Sequence, residues 1–379
     1  MSDFSKPRAR IGLNLLFLRP GRVGGGETYA RGLLEGFQSL SLPYEFVVFL
    51  NPEAYPTFAE LDGCPHFTRV LCKVSSNASL RHLWEQMHFP NLCREHHLDL
   101  LHSLGNVTPF RAPCPTTVTI HDLLYKVEPT TLPFMRREVL GRLVTASARR
   151  CDLVITVSHN SQDHIVRYLK IPLDKIHVTP EGPGQALQSP APWDEVRDKY
   201  KVPEPYFLTV GTATHKRLDR IVRAAEILRD ERKFPASVVS TSPLGQPIPT
   251  GNGVVKHFGY VSQEELACLY QHAIALICFS DMEGFGLTAL EAMGLGTPVV
   301  ASNAAAIPEV LGDGGIIVEH GDAVALSQAM WKIATDSELQ EEMRARGLHR
   351  VANFSWMACA AETARAYEMI LQRGVSTAI

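Results

Sequence analysis

Short apolar runs rich in Val, Ile and Leu alternate along the whole chain with longer stretches whose apolar residues recur at helical spacing. Runs of four to eight such residues read as strands, and hydrophobics three and four apart mark helices with one buried face. Their regular alternation is the pattern of a parallel sheet covered by helices. The first half offers strands at 10–18, 45–50, 98–104, 116–122 and 153–158, with helical spacing over 27–40, 79–96, 134–149 and 159–169. The second half offers strands at 206–212, 236–240, 255–260, 274–280, 297–302 and 315–320. Between them "VTPEGPGQALQSPAPW" (178–193), rich in Pro, Gly and Gln, breaks both periods and reads as a linker.

The expected architecture is therefore α/β: two doubly wound, Rossmann-like domains facing each other across a cleft. The first spans 1–185 and the second 186–359, with an amphipathic helix over 360–379 packing back on the first. A length of 379 residues exceeds what one core usually supports, and no short-period repeat suggests a solenoid. A net charge of −3 argues against a nucleic-acid partner, and the basic cluster Lys6 to Arg10 reads as a solvated tail. The eight cysteines show neither C-x-x-C nor metal-ligand spacing, as expected of reduced thiols in a cytoplasmic protein. "MSDFSKPRAR" lacks a signal-peptide core, and no 18-residue apolar run exists. At most, peripheral contact with the inner face of a membrane is expected.

Four stretches carry candidate chemistry. In "RPGRVGGGETYARGLLEGF" (19–37) three glycines precede a helix, where bare backbone N–H groups favour an anion or a polarised hydroxyl. The stretch is neither a phosphate-binding P-loop nor a dinucleotide fingerprint, and a tight turn without ligand explains it equally well. In "TVTIHDLLY" (117–125) His121 and Asp122 fall at the C-terminal end of a strand, where doubly wound sheets place functional groups. In "YFLTVGTATHKRLDRIVRAAEIL" (206–228) Gly211 leads into His215, Lys216 and Arg217 at the start of a helix, a cationic turn suited to a diphosphate. The alternative is a solvated basic turn.

The fourth is "MEGFGLTALEAMGLGTPVVAS" (282–302). Glu291 interrupts an otherwise apolar helix face, and carboxylates are rarely buried without a hydrogen-bonding partner. Glu283 stands eight residues upstream, beside Gly284, Phe285 and Gly286. With a helix starting near Leu287, Glu291 lies little more than one turn in, placed to accept hydrogen bonds from ligand hydroxyls.

Together these stretches resemble glycosyltransferase family 4, the retaining enzymes of GT-B fold. "EGFGLTALEAMGLGTPVVAS" with "IPEVLGDGG" is similar to the family's donor-site signature, and "GGGETY", "TIHDLLY", "HVTPEG" and "YFLTVGTATHKRLD" extend the likeness over nearly the whole chain. The resemblance implies transfer of a hexose from a nucleoside-diphosphate sugar to a glycan or lipid-linked acceptor. It implies that His121, Lys216 and Glu283 serve the transfer itself. Donor binding would fall to Gly25, Gly26, Gly211, Thr212, Lys216, Arg217, Gly284, Phe285, Gly286, Leu287 and Glu291. It implies no metal and no cofactor, the nucleotide sugar being the donor substrate. GDP-mannose is the favoured donor and a UDP-sugar the next.

The chain also departs from the family pattern. His215 and Thr212 stand where arginines are common, "PEG" (180–182) replaces "PNG", and 304–306 is all alanine. The other readings are a sugar-nucleotide epimerase and a non-catalytic nucleotide-sugar-binding protein of the same architecture. The acceptor would be set by loops such as 51–80 and 104–115. Phe134, Met135, Arg136, Arg137, Arg149 and Arg150 form a candidate dock for a membrane-borne lipid, or simply one side of a core helix.

Overall fold

A computed structural model describes residues 8–21, 24–75, 77–184, 189–235, 237–241, 251 and 253–376, with side chains up to 373. Most of the basic tail, residues 185–188 of the linker, the first residue of the expected 236–240 strand and 377–379 lie outside the described residues. The chain forms two compact units, Met1–Glu181 with Trp356–Ile379, and Gly182–Ser355. Against the expected limits, both boundaries fall four residues earlier.

The first unit is built on seven parallel strands: β1 (Ala9–Asn14), β2 (Tyr44–Leu50), β3 (Phe67–Leu71), β4 (Leu100–Ser103), β5 (Thr116–Thr119), β6 (Leu153–Thr156) and β7 (Ile176–Val178), in the order β3-β2-β1-β4-β5-β6-β7. Every residue of β4, β5 and β6 is buried, which is why these segments read as continuous apolar or β-branched runs rather than alternating ones. The 10–18 run overshoots its strand. Past Asn14 the chain turns: the Asn14 Oδ1 accepts from Leu16 N at 3.1 Å, and the Asn51 side chain holds the Leu16 and Leu18 carbonyls. The final helix, Trp356–Ser376, lies on helix Gly25–Ser39. It approaches so closely that β-carbons at Gly32 and Gly36 would stand 2.1 Å from the Trp356 ring and 2.3 Å from its carbonyl.

The second unit holds six parallel strands: β8 (Tyr206–Val210), β9 (Ser237–Thr241), β10 (Val255–His257), β11 (Leu276–Cys278), β12 (Val299–Ser302) and β13 (Ile316–Val318), ordered β10-β9-β8-β11-β12-β13. Phe207, Val238, Ile277 and Val300 from the strands meet Ile221, Val222, Leu326 and Met330 from the helices in one core. Both sheets have the Rossmann strand order, all strands parallel, with the order in which successive strands are added reversing between β1 and β4 and again between β8 and β11. Ligands of such sheets bind beyond the C-terminal strand ends at these points.

Candidate active site

At the β8/β11 switch point two loops clasp each other. The loop after β8 makes a single 3-10 turn (Thr214–Lys216), and Arg217 takes a left-handed conformation before helix Leu218–Arg232. Asp281 N, after β11, donates to the His215 carbonyl at 2.8 Å. That contact brings Lys216 Nζ to 2.5 Å from Glu283 Oε1, which Ser280 Oγ also reaches at 2.6 Å. Gly211, at φ +91°, leaves room for the lysine stem: a β-carbon there would meet Lys216 Cε at 3.3 Å. Burial disfavours both charges, but each outweighs it for the other: the ammonium is held above its ordinary value and the Glu283 carboxyl below its own. The site thus carries a preorganised cation with its counter-ion, both mostly screened from water.

Gly284, Phe285 and Gly286 follow, and helix Leu287–Gly294 starts from Gly286. The first N–H groups of a helix have no partner within it and carry its positive dipole end. Glu291 sits one turn further in, 8% exposed, and Tyr270 OH donates to its Oε2 at 3.3 Å. Burial pushes its carboxyl up to about 7, against the opposing pull of Tyr270 and Lys216. Arg217 is engaged elsewhere, by Asp219 at 2.9 Å and Asp281 at 3.3 Å; Lys216 is the cation paired with Glu283.

The remaining candidates lie in the first unit. Gly25 and Gly26 open helix Gly25–Ser39. One turn on, Tyr29 meets the His121 ring edge-on at 4.7 Å. His121, past the end of β5, has its Nε2 3.0 Å from the Leu104 carbonyl and its Nδ1 3.5 Å from Glu181 Oε1. Behind it, His102 is fully buried between Tyr367 OH and Thr119 Oγ1, each at 2.7 Å. Burial and the neighbouring His121 lower its pKa to about 3, keeping it neutral.

The structure therefore gathers Gly211, Thr212, Lys216, Glu283 to Leu287 and Glu291 about the switch point of one unit, and Gly25, Gly26 and His121 at the strand ends of the other. Three partners escaped the sequence. Ser280 and Tyr270 carry no motif of their own. Glu181 stood only as a departure from a pattern, and it is the buried carboxyl beside His121.

Two Rossmann-type sheets in one chain, with a lysine–carboxylate pair beside a helix N-terminus at a switch point, describe a GT-B glycosyltransferase. Residues 23–182 match the family described as Glycosyltransferase Family 4, and residues 204–336 match Glycosyl transferases group 1. The chain is 31% identical over 265 residues to the O-antigen chain mannosyltransferase B of Escherichia coli, covering 66% of this chain and 70% of that protein. It belongs to glycosyltransferase family 4. Among solved structures, the sucrose-phosphate synthase of Thermosynechococcus elongatus superposes with a TM-score of 0.74 over 97% of this chain and 100% of its own, at 20% identity. The Anabaena protein HepE in complex with UDP-glucose superposes with a TM-score of 0.71 over 95% and 99%, at 16% identity. At such identities these two speak for the fold.

Proposed function

We propose that this glycosyltransferase moves mannose from GDP-mannose, with a UDP-sugar as the next donor, to a glycan or lipid-linked acceptor, with retention of anomeric configuration and without a metal ion. The observation that carries this reading is the Lys216–Glu283 pair at the β8/β11 switch point, with Glu291 one helical turn beyond it. Departure of a nucleoside diphosphate needs positive charge already in place. Lys216 and the N-terminus of helix Leu287–Gly294 supply it, Glu283 accepts from sugar hydroxyls, and Glu291 accepts from the ribose. Retention is the outcome that membership in glycosyltransferase family 4 supports. The acceptor oxygen then bonds to the anomeric carbon on the face the diphosphate leaves, and its proton passes to a phosphate oxygen. Mannose is favoured because the 31%-identical relative is named a mannosyltransferase.

Calorimetric titration of GDP, UDP and ADP in the presence of EDTA tests the donor assignment. Binding of GDP alone supports it, and binding of none overturns it. The anomer of the product, read by NMR, tests retention.

Among the described residues no helix is long and apolar enough to cross a membrane. Peripheral contact with the inner face of a membrane, where a lipid-linked acceptor would lie, is part of the proposal. Phe134, Met135 and Val139 are exposed on one helix beside Arg136 and Arg137, and Leu80, Leu83 and Met87 are exposed on another. Co-sedimentation with anionic vesicles checks it; protein left in the supernatant at low salt counts against it.

A further inference from the structure

His121 is held at every polar atom. Its N–H lies 3.3 Å from Asn106 Oδ1, and its carbonyl accepts from Ser161 Oγ at 2.8 Å. Its Nε2 faces the Leu104 carbonyl at 3.0 Å. A carbonyl only accepts, so Nε2 carries a proton. That leaves Nδ1 against Glu181 Oε1 at 3.5 Å, with the glutamate side chain only 4% exposed. In a neutral imidazole of this tautomer the Nδ1 lone pair would oppose a carboxylate. The contact is favourable only with one more proton, on Nδ1 or on the glutamate oxygen. In either placement the pair is electrically neutral.

We propose that Glu181 is a positioning residue of the transfer site. It shares one proton with His121, locks the imidazole as a hydrogen-bond donor rather than a base, and thereby fixes the peptide at 120–122. This rests on reading the chain as a sugar transferase whose His121 segment faces the transferred sugar. An amide at 181 would hold Nδ1 equally well, with no proton to lose.

The surroundings keep the charge balance to these two groups. Burial pushes the Glu181 carboxyl up, opposed by His121. For His121 the downward pull of burial is outweighed by Glu181, the Leu104 carbonyl and Asp122. The other ionisable groups facing the pair are Asp122, neutral His102, Tyr29 and Cys359. Burial drives the Tyr29 hydroxyl and the Cys359 thiol far up, so both stay neutral. A second proton makes the buried pair cationic, and loss of the first makes it anionic. The rate therefore falls on both sides, the alkaline limb lying above the ordinary histidine value of about 6.5.

The test is the pH profile of kcat for the wild type, Glu181→Gln and Glu181→Ala, with thermal unfolding of each across the same range. Glu181→Gln is expected to keep the maximum and lose the alkaline limb. Glu181→Ala is expected to lose about 10²-fold in kcat with donor KM unchanged, the scale of a small misplacement at a reacting centre. An alkaline limb identical in Glu181→Gln and wild type overturns the shared proton. If the wild type turns over no nucleotide sugar at any pH, the transferase reading fails, and the unfolding data decide the pair alone. The unfolded chain releases the histidine proton near 6.5 while the folded pair retains it, so the pair's stabilisation declines as pH rises through that window. A wild-type Tm advantage over Glu181→Gln that shrinks above neutral pH supports the pair, and a constant one overturns it.

Discussion

A β-carbon at Gly184 would lie 1.7 Å from Glu291 Oε1 and 2.6 Å from its Cδ. The backbone at the start of the second unit thus closes one side of the carboxyl whose other oxygen Tyr270 holds. Gly184→Ala is expected to push the flexible glutamate aside rather than unfold the unit. Nucleotide affinity should drop by about tenfold or more, the scale of a lost charge-assisted hydrogen bond, with Tm nearly unchanged. Calorimetry and a melting curve on one sample distinguish this from simple misfolding.

Glu291 also sets a pH dependence. Its carboxyl is pushed up to about 7 by burial, and under the proposed donor binding it would accept from ribose hydroxyls best when ionised. Nucleotide affinity should rise as pH climbs through 7, and Glu291→Gln should flatten the curve. Tyr270→Phe removes a partner that favours the ionised form, so it should move the midpoint upward. For stability the sign is opposite. A raised folded pKa contributes stability below the ordinary glutamate value, and this is lost as pH rises through 7.

Lys216 and Glu283 should separate stability from rate. Lys216→Met leaves a mostly buried carboxylate without its paired cation, Ser280 Oγ still donating to it, at a cost of about 3 kcal/mol. Loss of the leaving-group charge should lower kcat by roughly 10²–10³. Adding Glu283→Gln should restore much of the Tm and none of the rate. Recovery of activity in the double variant would sink the assignment.

Acid sensitivity should trace to His102. Its pKa of about 3 in the fold means that the unfolded chain takes up its proton first, so stability falls as pH drops below about 6.5. The full shift corresponds to about 5 kcal/mol. His102→Gln should be less stable at neutral pH and flatter between about pH 6 and pH 4 in denaturant titrations.

The loops after β8 and β11 were legible because their chemistry is local. Gly284, Gly286 and the helical period after Leu287 fix where Glu291 falls without knowledge of the rest of the fold. Partners that arrive across the fold were not legible. Tyr270 comes from helix Gln263–His272 and Glu181 from the end of β7. Helix Ala78–Glu95 defeats periodicity outright: Arg81 and Glu85 point inward, where Glu85 meets His82 at 3.0 Å and Asn14 at 3.4 Å, while Leu80, Leu83 and Met87 face out. The two outer strands β3 and β7 were missed as well. One is a half-exposed edge carrying Arg69, and the other is only three residues long.

Gly32 and Gly36 make their close approach to a helix more than three hundred residues away in the chain. The second unit is one uninterrupted segment, whereas the first is closed by Trp356–Ser376. The second unit can therefore fold from one continuous stretch, while the first exposes the groove meant for its last helix until that helix docks. During synthesis that groove is a natural place for a chaperone to hold. A released chain cut off before Trp356 would carry every residue of the second unit and an open first one.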